Sequence, residues 1–399
     1  MLKGKNILLG VTGGIAAYKM ADVASMLVKQ GADVHVVMTE NATKFITAET
    51  FSVLTKNKVY VDVFDENPDD YVNVPHISLG TNADCILIAP ATANIIGKLA
   101  NGIADDMVST TVLPARCPIL VAPSMNVYMF ENRIVQDNIK KLKDYGFTII
   151  DPAEGHLACG YDGKGKLPAP EQLVEQVILA AAKEKDLEGK KVLVDAGPTQ
   201  ESLDPVRYIT NHSSGKMGYA LARVAAMRGA EVTLVSGPTA LDCPAGVERV
   251  DTITAADMYR EMTERAADAD IIIMAAAVAD YTPAVKAENK IKKQEGDFSI
   301  ALDRTQDILK TIGSSKKAGQ VLVGFSMETE NLIENSRKKL DSKNADMICA
   351  NSLTTEGAGY QVDTNIVTII TKDATEELPL MSKNEVADAI LTKAKGFLD

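Results

Sequence analysis

The chain has no tryptophan, only four histidines and five cysteines in 399 residues, and no apolar run long enough to span a bilayer. Each absence removes a class of protein. Cys85, Cys117, Cys159, Cys243 and Cys349 form an odd, widely spaced set without a CxxC pair, which fits neither a disulfide framework nor a structural zinc site. They read as reduced thiols placed mostly in the core. The first apolar stretch, Asn6 to Val11, is interrupted at Gly10 and followed by Gly13 and Gly14. It is too short for a signal-peptide core or a spanning helix, so a cytoplasmic address is expected. Positive charge is also scarce, with 42 Lys and Arg against 54 Asp and Glu and a formal net charge of −12. General nucleic-acid binding needs a basic surface, so nucleic-acid and membrane partners are not expected. Any phosphate ligand must be gripped locally.

What is present is a chain that begins twice. Lys5 to Lys19 reads KNILLGVTGGIAAYK and Lys190 to Gln200 reads KKVLVDAGPTQ, each an apolar run entering a glycine turn. Such turns sit at the carboxyl end of a first strand, where phosphate-bearing ligands bind. Between and after them, apolar β-rich runs alternate with helical patterns, as in Asp33–Met38, Asp84–Ala89 and Ala91–Leu99, then Glu231–Ser236, Ala256–Ala267 and Ile271–Ala277. Alternation of this kind predicts α/β domains with parallel sheets covered on both faces. The charged stretch KEKDLEGK is the best boundary, which divides the chain into residues 1–185 and 186–399.

Two nucleotide motifs are missing. Neither half contains GxGxxG, which disfavours a nicotinamide-dependent oxidoreductase, and HSSGK at 212–216 has Thr210 where a P-loop needs glycine. VTGGIAAY reads either as a tight turn needing positive φ or as an anion site built from Thr12 and free backbone N–H groups. His35 lies inside a strand pattern, where a packed histidine is the simpler reading. His76 in NVPHISLG reads as a loop histidine on the strand rim, able to act as a base. Cys159 stands among Gly155, Gly160, Gly163 and Gly165 in a glycine-rich loop, a setting that suggests a lid and a proton donor.

Longer motifs then carry a resemblance. PATANIIGKLANGIADD at 90–106, PSMNVYM at 123–129, His76 and the ACG loop around Cys159 resemble the flavin-dependent cysteine decarboxylase family. GPTQESLDPVRYITNHSSGKMG, AAAVADY, NKIKK, GFSMET and KLDSKNADMICAN follow in that order and resemble phosphopantothenate–cysteine ligase. Together they cover nearly the whole chain and are similar to the bifunctional bacterial family that carries both activities in coenzyme A biosynthesis. The resemblance implies two doubly wound, Rossmann-like domains. The first would be a flavodoxin-like flavoprotein domain and the second a nucleotide-binding ligase domain.

It also implies chemistry. The ligase half would join 4'-phosphopantothenate to cysteine with CTP, through an acyl-CMP intermediate and with Mg2+ on the phosphates. The flavin half would then decarboxylate phosphopantothenoylcysteine to 4'-phosphopantetheine using FMN, because loss of CO2 from this carboxylate has no electron sink of its own. By motif, His76 resembles the base, Asn126 the group binding the substrate carboxylate, and Cys159 the final acid. Gly13, Gly14, Thr39, Thr92, Asn94 and Ser109 would hold the flavin. Lys290 resembles the catalytic lysine of a nucleotide flap, beside Lys292 and Lys293, and Asn211 the residue that turns over the acyl-CMP. Ala275, Ala276, Ala277, Asp280, Gln306, Asp307, Ile308, Leu309 and Phe325 resemble the cytidine pocket, with Lys339 and Lys343 on phosphates; metal ligands are not readable. Phe130 and Lys166 stand where the family more often carries tryptophan and arginine. On residue type alone, Asn126 is also read as an Asx turn, Thr39 as a helix cap, and the lysine run and pair as solvated charge. Family analogy implies a homo-oligomer, a dodecamer of trimeric flavin and dimeric ligase contacts. Two other classes stay open: a single-activity flavoprotein whose second half only assembles or regulates it, and a nucleotide-binding oxidoreductase using NAD(P).

Overall fold

The computed structural model describes residues 1–64, 74–156, 160–292, 299–328, 331–352, 359 and 361–398. Its backbone separates into Met1–Lys183 and Glu184–Asp399, a break inside the charged KEKDLEGK stretch.

In the first unit, β1 (Asn6–Val11), β2 (Asp33–Met38), β3 (Val59–Tyr60), β4 (Cys85–Ala91), β5 (Ile119–Pro123) and β6 (Thr148–Ile149) form a sheet in the order β3-β2-β1-β4-β5-β6. Every neighbouring pair is parallel. The strands are almost continuously apolar because both faces are covered. Leu8, Ile86, Ile88 and Val121 pack into one cluster with α4 (Ala93–Asn101), α5 (Met107–Val112) and α7 (Arg133–Asp144). Their alternating neighbours Ile7, Leu9, Leu87 and Leu120 are equally buried. On that opposite parity the chain places α1 (Met20–Lys29), which packs with α2 (Ala48–Thr55) and α8 (Pro170–Ala181). The remaining helices are α3 (Pro75–Asn82), which packs on α5, and α6 (Val127–Glu131).

The second unit repeats this order. Strands β9 (Lys191–Ala196), β12 (Glu231–Ser236), β13 (Val247–Asp251), β14 (Ile271–Met274), β17 (Val321–Glu328) and β18 (Met347–Ser352) run β13-β12-β9-β14-β17-β18, all parallel. Antiparallel β20 (Val367–Ile370) and β21 (Thr375–Glu377) extend the far edge. Counting strands within each unit, both sheets read 3-2-1-4-5-6, the Rossmann arrangement, and both reverse between their first and fourth strands. Helices α10 (Ala255–Ala266), α11 (Ile308–Ser315) and α12 (Leu332–Ser342) bury Met258, Met262, Ile308, Ile312 and Leu340 against one face. Helix α9 (Lys216–Met227) packs on β9 and β12, and α13 (Lys383–Lys395) packs on α9. Short antiparallel pairs complete the unit: β10 (Gln200–Ser202) with β11 (Tyr208–Thr210), β15 (Tyr281–Pro283) with β16 (Leu302–Arg304), and β19 (Thr364–Asn365) with β22 (Met381–Ser382).

Several local expectations need correcting. The two ends of the Gly155–Gly165 segment are strand and not loop: β7 (Ala153–His156) and β8 (Asp162–Lys166) pair antiparallel as a hairpin. Its glycines serve close approach. At Gly165, with φ +149°, a Cβ would lie 2.3 Å from the Met125 carbonyl oxygen, and the Met125 N–H donates to the Gly165 carbonyl at 3.0 Å. His76 sits in the first turn of α3, not in a loop, because Pro75 occupies N1, where its missing N–H costs nothing. Among the described cysteines only Cys85 and Cys349 are fully buried, while Cys117 is half-buried and Cys243 exposed. Gly14 has an extended φ of −139°, so the VTGG turn does not need positive φ there. Gly13 is required for space, since a Cβ would meet the Asn41 Cβ at 2.5 Å.

Gly165→Ala is expected to detach the hairpin from the Met125 turn. Strain and clash of this kind cost roughly 1–3 kcal/mol, measurable as lower stability to urea and faster proteolysis between residues 153 and 166.

Candidate active sites

In the first unit the carboxyl ends of β1, β4 and β5 meet beneath the hairpin. They enclose a cavity of about 480 Å3 lined by Gly13, Gly14, Thr92, Met125, Asn126 and Lys166, among others. Thr12 joins two of these ends: its Oγ1 donates to the Pro90 carbonyl at 2.5 Å and accepts from the Thr92 N–H at 3.3 Å. Thr92 then caps α4, accepting from the Ile95 N–H at 3.4 Å. Asn126 caps α6 through Oδ1, which accepts from the Tyr128 N–H at 2.9 Å, so the Asx reading of this residue holds for that oxygen.

The other flavin-site candidates are dispersed. Thr39 opens a 3-10 turn at the end of β2, and its buried Oγ1 has no hydrogen-bond partner. Asn94 is exposed on α4. Ser109 is fully buried and forms a reciprocal capping box with Asp106, its N–H donating to Oδ1 at 2.8 Å. His76 does not line the cavity, although its Nδ1 is buried without a partner. Cys159 lies outside the described residues. His35 is half-buried on β2 with Nε2 3.5 Å from Asp33 Oδ2.

The second unit carries two adjoining cavities at the same edge of its sheet, of about 610 and 410 Å3. They share Ala276, Val278, Asp280, Phe325 and Lys339. Gln306, Asp307, Ile308, Leu309 and Lys343 line the first, and Asn211, Ala275 and Ala277 line the second. The GPT turn explains why the alanine loop is ordered. Gly197 accepts from the Ala277 N–H at 2.9 Å, Thr199 Oγ1 from the Ala279 N–H at 3.0 Å, and Asp195 Oδ1 from the Ala276 N–H at 2.7 Å. Asn211 Nδ2 also donates to the Ala277 carbonyl at 2.7 Å.

Lys339 and Lys343 are not a solvated stripe. Lys339 Nζ donates to the Phe325 carbonyl at 2.7 Å, and Lys343 Nζ pairs with Asp307. Burial would raise the Asp307 carboxyl, but Lys343 and the Lys310 N–H hold it below its ordinary range. Lys290 is exposed and lines neither cavity; Lys293 lies outside the described residues. The neighbouring backbone is clamped, because Ile291 donates its N–H to Asp204 at 3.1 Å and accepts from Arg207 Nη2 at 2.6 Å. Burial would raise the Asp204 carboxyl, yet donors from Ile291, Val206 and Arg207 hold it far below the usual carboxylate range.

Residues 1–181 match the family described as Flavoprotein, and residues 187–397 the DNA/pantothenate metabolism flavoprotein C-terminal domain. The coenzyme A biosynthesis bifunctional protein CoaBC of Bacillus subtilis (strain 168) is 50% identical over 395 residues, covering 98% of this chain and 97% of that protein. The chain belongs to this bifunctional coenzyme A biosynthesis family. As a member it joins a decarboxylase and a ligase in one polypeptide. The Vibrio cholerae serotype O1 (strain ATCC 39315 / El Tor Inaba N16961) protein of the same name is 42% identical over 392 residues, covering 98% of both chains. A crystal structure of the C-terminal domain of a CoaBC protein is 47% identical and covers 54% of this chain and 98% of its own, with a TM-score of 0.46.

Motif reading missed Asp195, which lines the first cavity of the second unit although it is fully buried. Its signal was available: a carboxylate ending the apolar run VLVD. Burial pushes this carboxyl up to about 7, against the N–H groups of Ala276 and Ala275, and Oδ2 has no partner. An acid protonated in the folded state but ionised in the unfolded one stabilises at low pH, and that contribution is lost as pH rises from about 4 to about 7. Asp195→Asn should therefore flatten the pH dependence of the melting temperature over this window. The comparison of the two proteins between pH 4 and pH 8 checks it.

Proposed function

We propose that the first unit is an FMN-dependent phosphopantothenoylcysteine decarboxylase and the second a CTP-dependent phosphopantothenate–cysteine ligase. The observation that carries this reading is the contrast between two crevices at equivalent sheet edges. The first is lined mainly by glycine, methionine, amide and other uncharged groups with Lys19 and Lys166 among them, and the second gathers Lys216, Lys310, Lys339, Lys343 and Lys383 in an acidic chain.

The first crevice fits a flavin. Gly13 and Gly14 leave its floor without side chains, and Thr39, outside that lining at the end of β2, carries a buried Oγ1 with hydrogen bonding to spare. Gly13, Gly14, Thr39, Thr92, Asn94 and Ser109 would hold the cofactor, Ser109 chiefly by fixing the start of α5. The flavin, when bound, supplies the redox chemistry that creates an electron sink for decarboxylation. Asn126 binds the substrate carboxylate through its amide N–H groups, without adding charge. His76 accepts a proton from the substrate, and Cys159, assigned by motif, returns one at the end. Because His76 does not line the cavity of its own chain, and Ile15, Tyr18 and Tyr128 are exposed, we read the site as completed between subunits. A dodecamer follows from that reading and the family analogy.

In the second unit the alanine loop, Asp280, Gln306 to Leu309 and Phe325 hold cytidine, and Lys339 and Lys343 neutralise phosphates. Lys290 closes over the nucleotide from its clamped segment as acyl-CMP forms, and Asn211 promotes attack by the cysteine amine. No group of three His, Cys, Asp or Glu side chains that could hold a metal occurs among the described residues. Magnesium, which commonly rides on substrate phosphates with few protein ligands, would arrive with CTP. No helix among the described residues is long and apolar enough to cross a membrane, and we place the reactions in the cytoplasm.

The test supplies 4'-phosphopantothenate, cysteine and either CTP or ATP and resolves products by mass. Yellow, flavin-bearing protein should yield 4'-phosphopantetheine. Cys159→Ser and His76→Asn should accumulate phosphopantothenoylcysteine. Lys290→Gln should lose ligation, by roughly a hundredfold or more if it stabilises transition-state charge, while still decarboxylating added phosphopantothenoylcysteine. Intact ligation in Lys290→Gln, or a colourless protein, contradicts the assignment.

A further inference from the structure

Lys383 is the first residue of α13 and only 6% exposed, and its side chain lines the second ligase-unit cavity. Three features make this an expensive place for an ammonium. It is buried, it stands at the positive end of a helix dipole, and Lys216 lines the same cavity. Burial, and then Lys216, press the Lys383 pKa down to about 8, against the pull of Asp363. Its Nζ donates to the Gly359 carbonyl at 2.9 Å and to the Val362 carbonyl. Lys216 Nζ donates to the Gln361 carbonyl and to Asp363, both at 2.7 Å. The two lysines thus embrace one short segment and both border the cavity, beside Ser213, Asn351 and Asn365. Anchoring that segment would need only neutral donors, and the one carboxylate paired with these lysines among the described residues, Asp363, offsets only one of the two charges; the second cation facing the cavity is accounted for by a bound anion.

We propose that Lys383 and Lys216 form a phosphate-binding end of the second cavity, so that the carboxyl-terminal helix supplies a ligand contact to the ligase site. The proposal rests on the ligase reading for the identity of the ligand, which is either the nucleotide polyphosphate or the phosphate of the acyl substrate. The charge-assisted contact to the anion stabilises the bound state, separately from the bonds that Lys383 makes to the Gly359 and Val362 carbonyls.

The test uses the full-length protein. Lys383→Gln keeps a donor for the loop carbonyls and loses the charge, whereas Lys383→Arg keeps both. Calorimetric titration with inorganic pyrophosphate reads the anion site without any turnover. Lys383→Gln should weaken its binding about tenfold, as expected for one charge-assisted contact, while Lys383→Arg stays close to wild type. Parallel titrations with CTP and 4'-phosphopantothenate assign the source: a loss confined to either supports the site and names its ligand. Unchanged affinities for all three in Lys383→Gln, with a lowered melting temperature, mean loop anchoring alone and overturn the proposal; so does wild-type protein that binds none of them. If Lys383→Gln does not fold, Lys216→Gln carries the same expectation. Wild-type protein that makes no amide product but loses pyrophosphate binding on Lys383→Gln would sink the ligase reading and leave the anion site standing.

Discussion

Both sites depend on one constraint of parallel sheets, the reversal of strand order beside the first strand of each unit. Where β1 meets β4, and where β9 meets β14, consecutive connections leave in opposite directions and the carboxyl edge opens into a crevice. The residues that end those strands must then satisfy their own backbone. Thr12 does so by bonding Pro90 and Thr92, and Asp195 by accepting from Ala276. What remains at each edge is a rigid rim with space above it.

One topology therefore hosts two unlike chemistries through what is built on the rim. In the first unit, the β7–β8 hairpin is docked backbone to backbone on the Met125 turn and brings Gly165 and Lys166 to the cavity. In the second, α12 and α13 bring Lys339, Lys343 and Lys383 to the edge, concentrating cations that a chain of net charge −12 otherwise dilutes. Local charge, not the overall field, sets how many phosphates each crevice can hold. On the proposed assignment the order of the reactions runs against the order of the chain, since the carboxyl-terminal unit would make what the amino-terminal unit consumes.

The sheets were legible because strands covered on both faces are continuously apolar. Asp33–Met38 and Glu231–Ser236 have the same bounds in the structure as in the pattern. The β7–β8 hairpin was not legible, because glycines chosen for close approach erase the alternation that marks a strand. His76 was misplaced because a proline before it reads as a loop when it actually opens α3. The nucleotide candidates from Ala275 to Lys343, Lys290 excepted, gather on two adjoining cavities, since several lie at strand ends that topology brings together. Lys383 carried no signal. Its Ser-Lys-Asn-Glu context looks like an ordinary helix cap, and only the fold brings it to the cavity that Lys216 also lines.

The central claim is that one chain couples the two reactions in sequence. Purified protein given 4'-phosphopantothenate, magnesium and carboxyl-labelled cysteine tests it most directly, with labelled CO2 followed by mass spectrometry. The account predicts that labelled CO2 appears only when CTP is added, after a lag in which phosphopantothenoylcysteine accumulates. Release of labelled CO2 without CTP, or amide formation with no labelled CO2 from flavin-loaded protein, would contradict it.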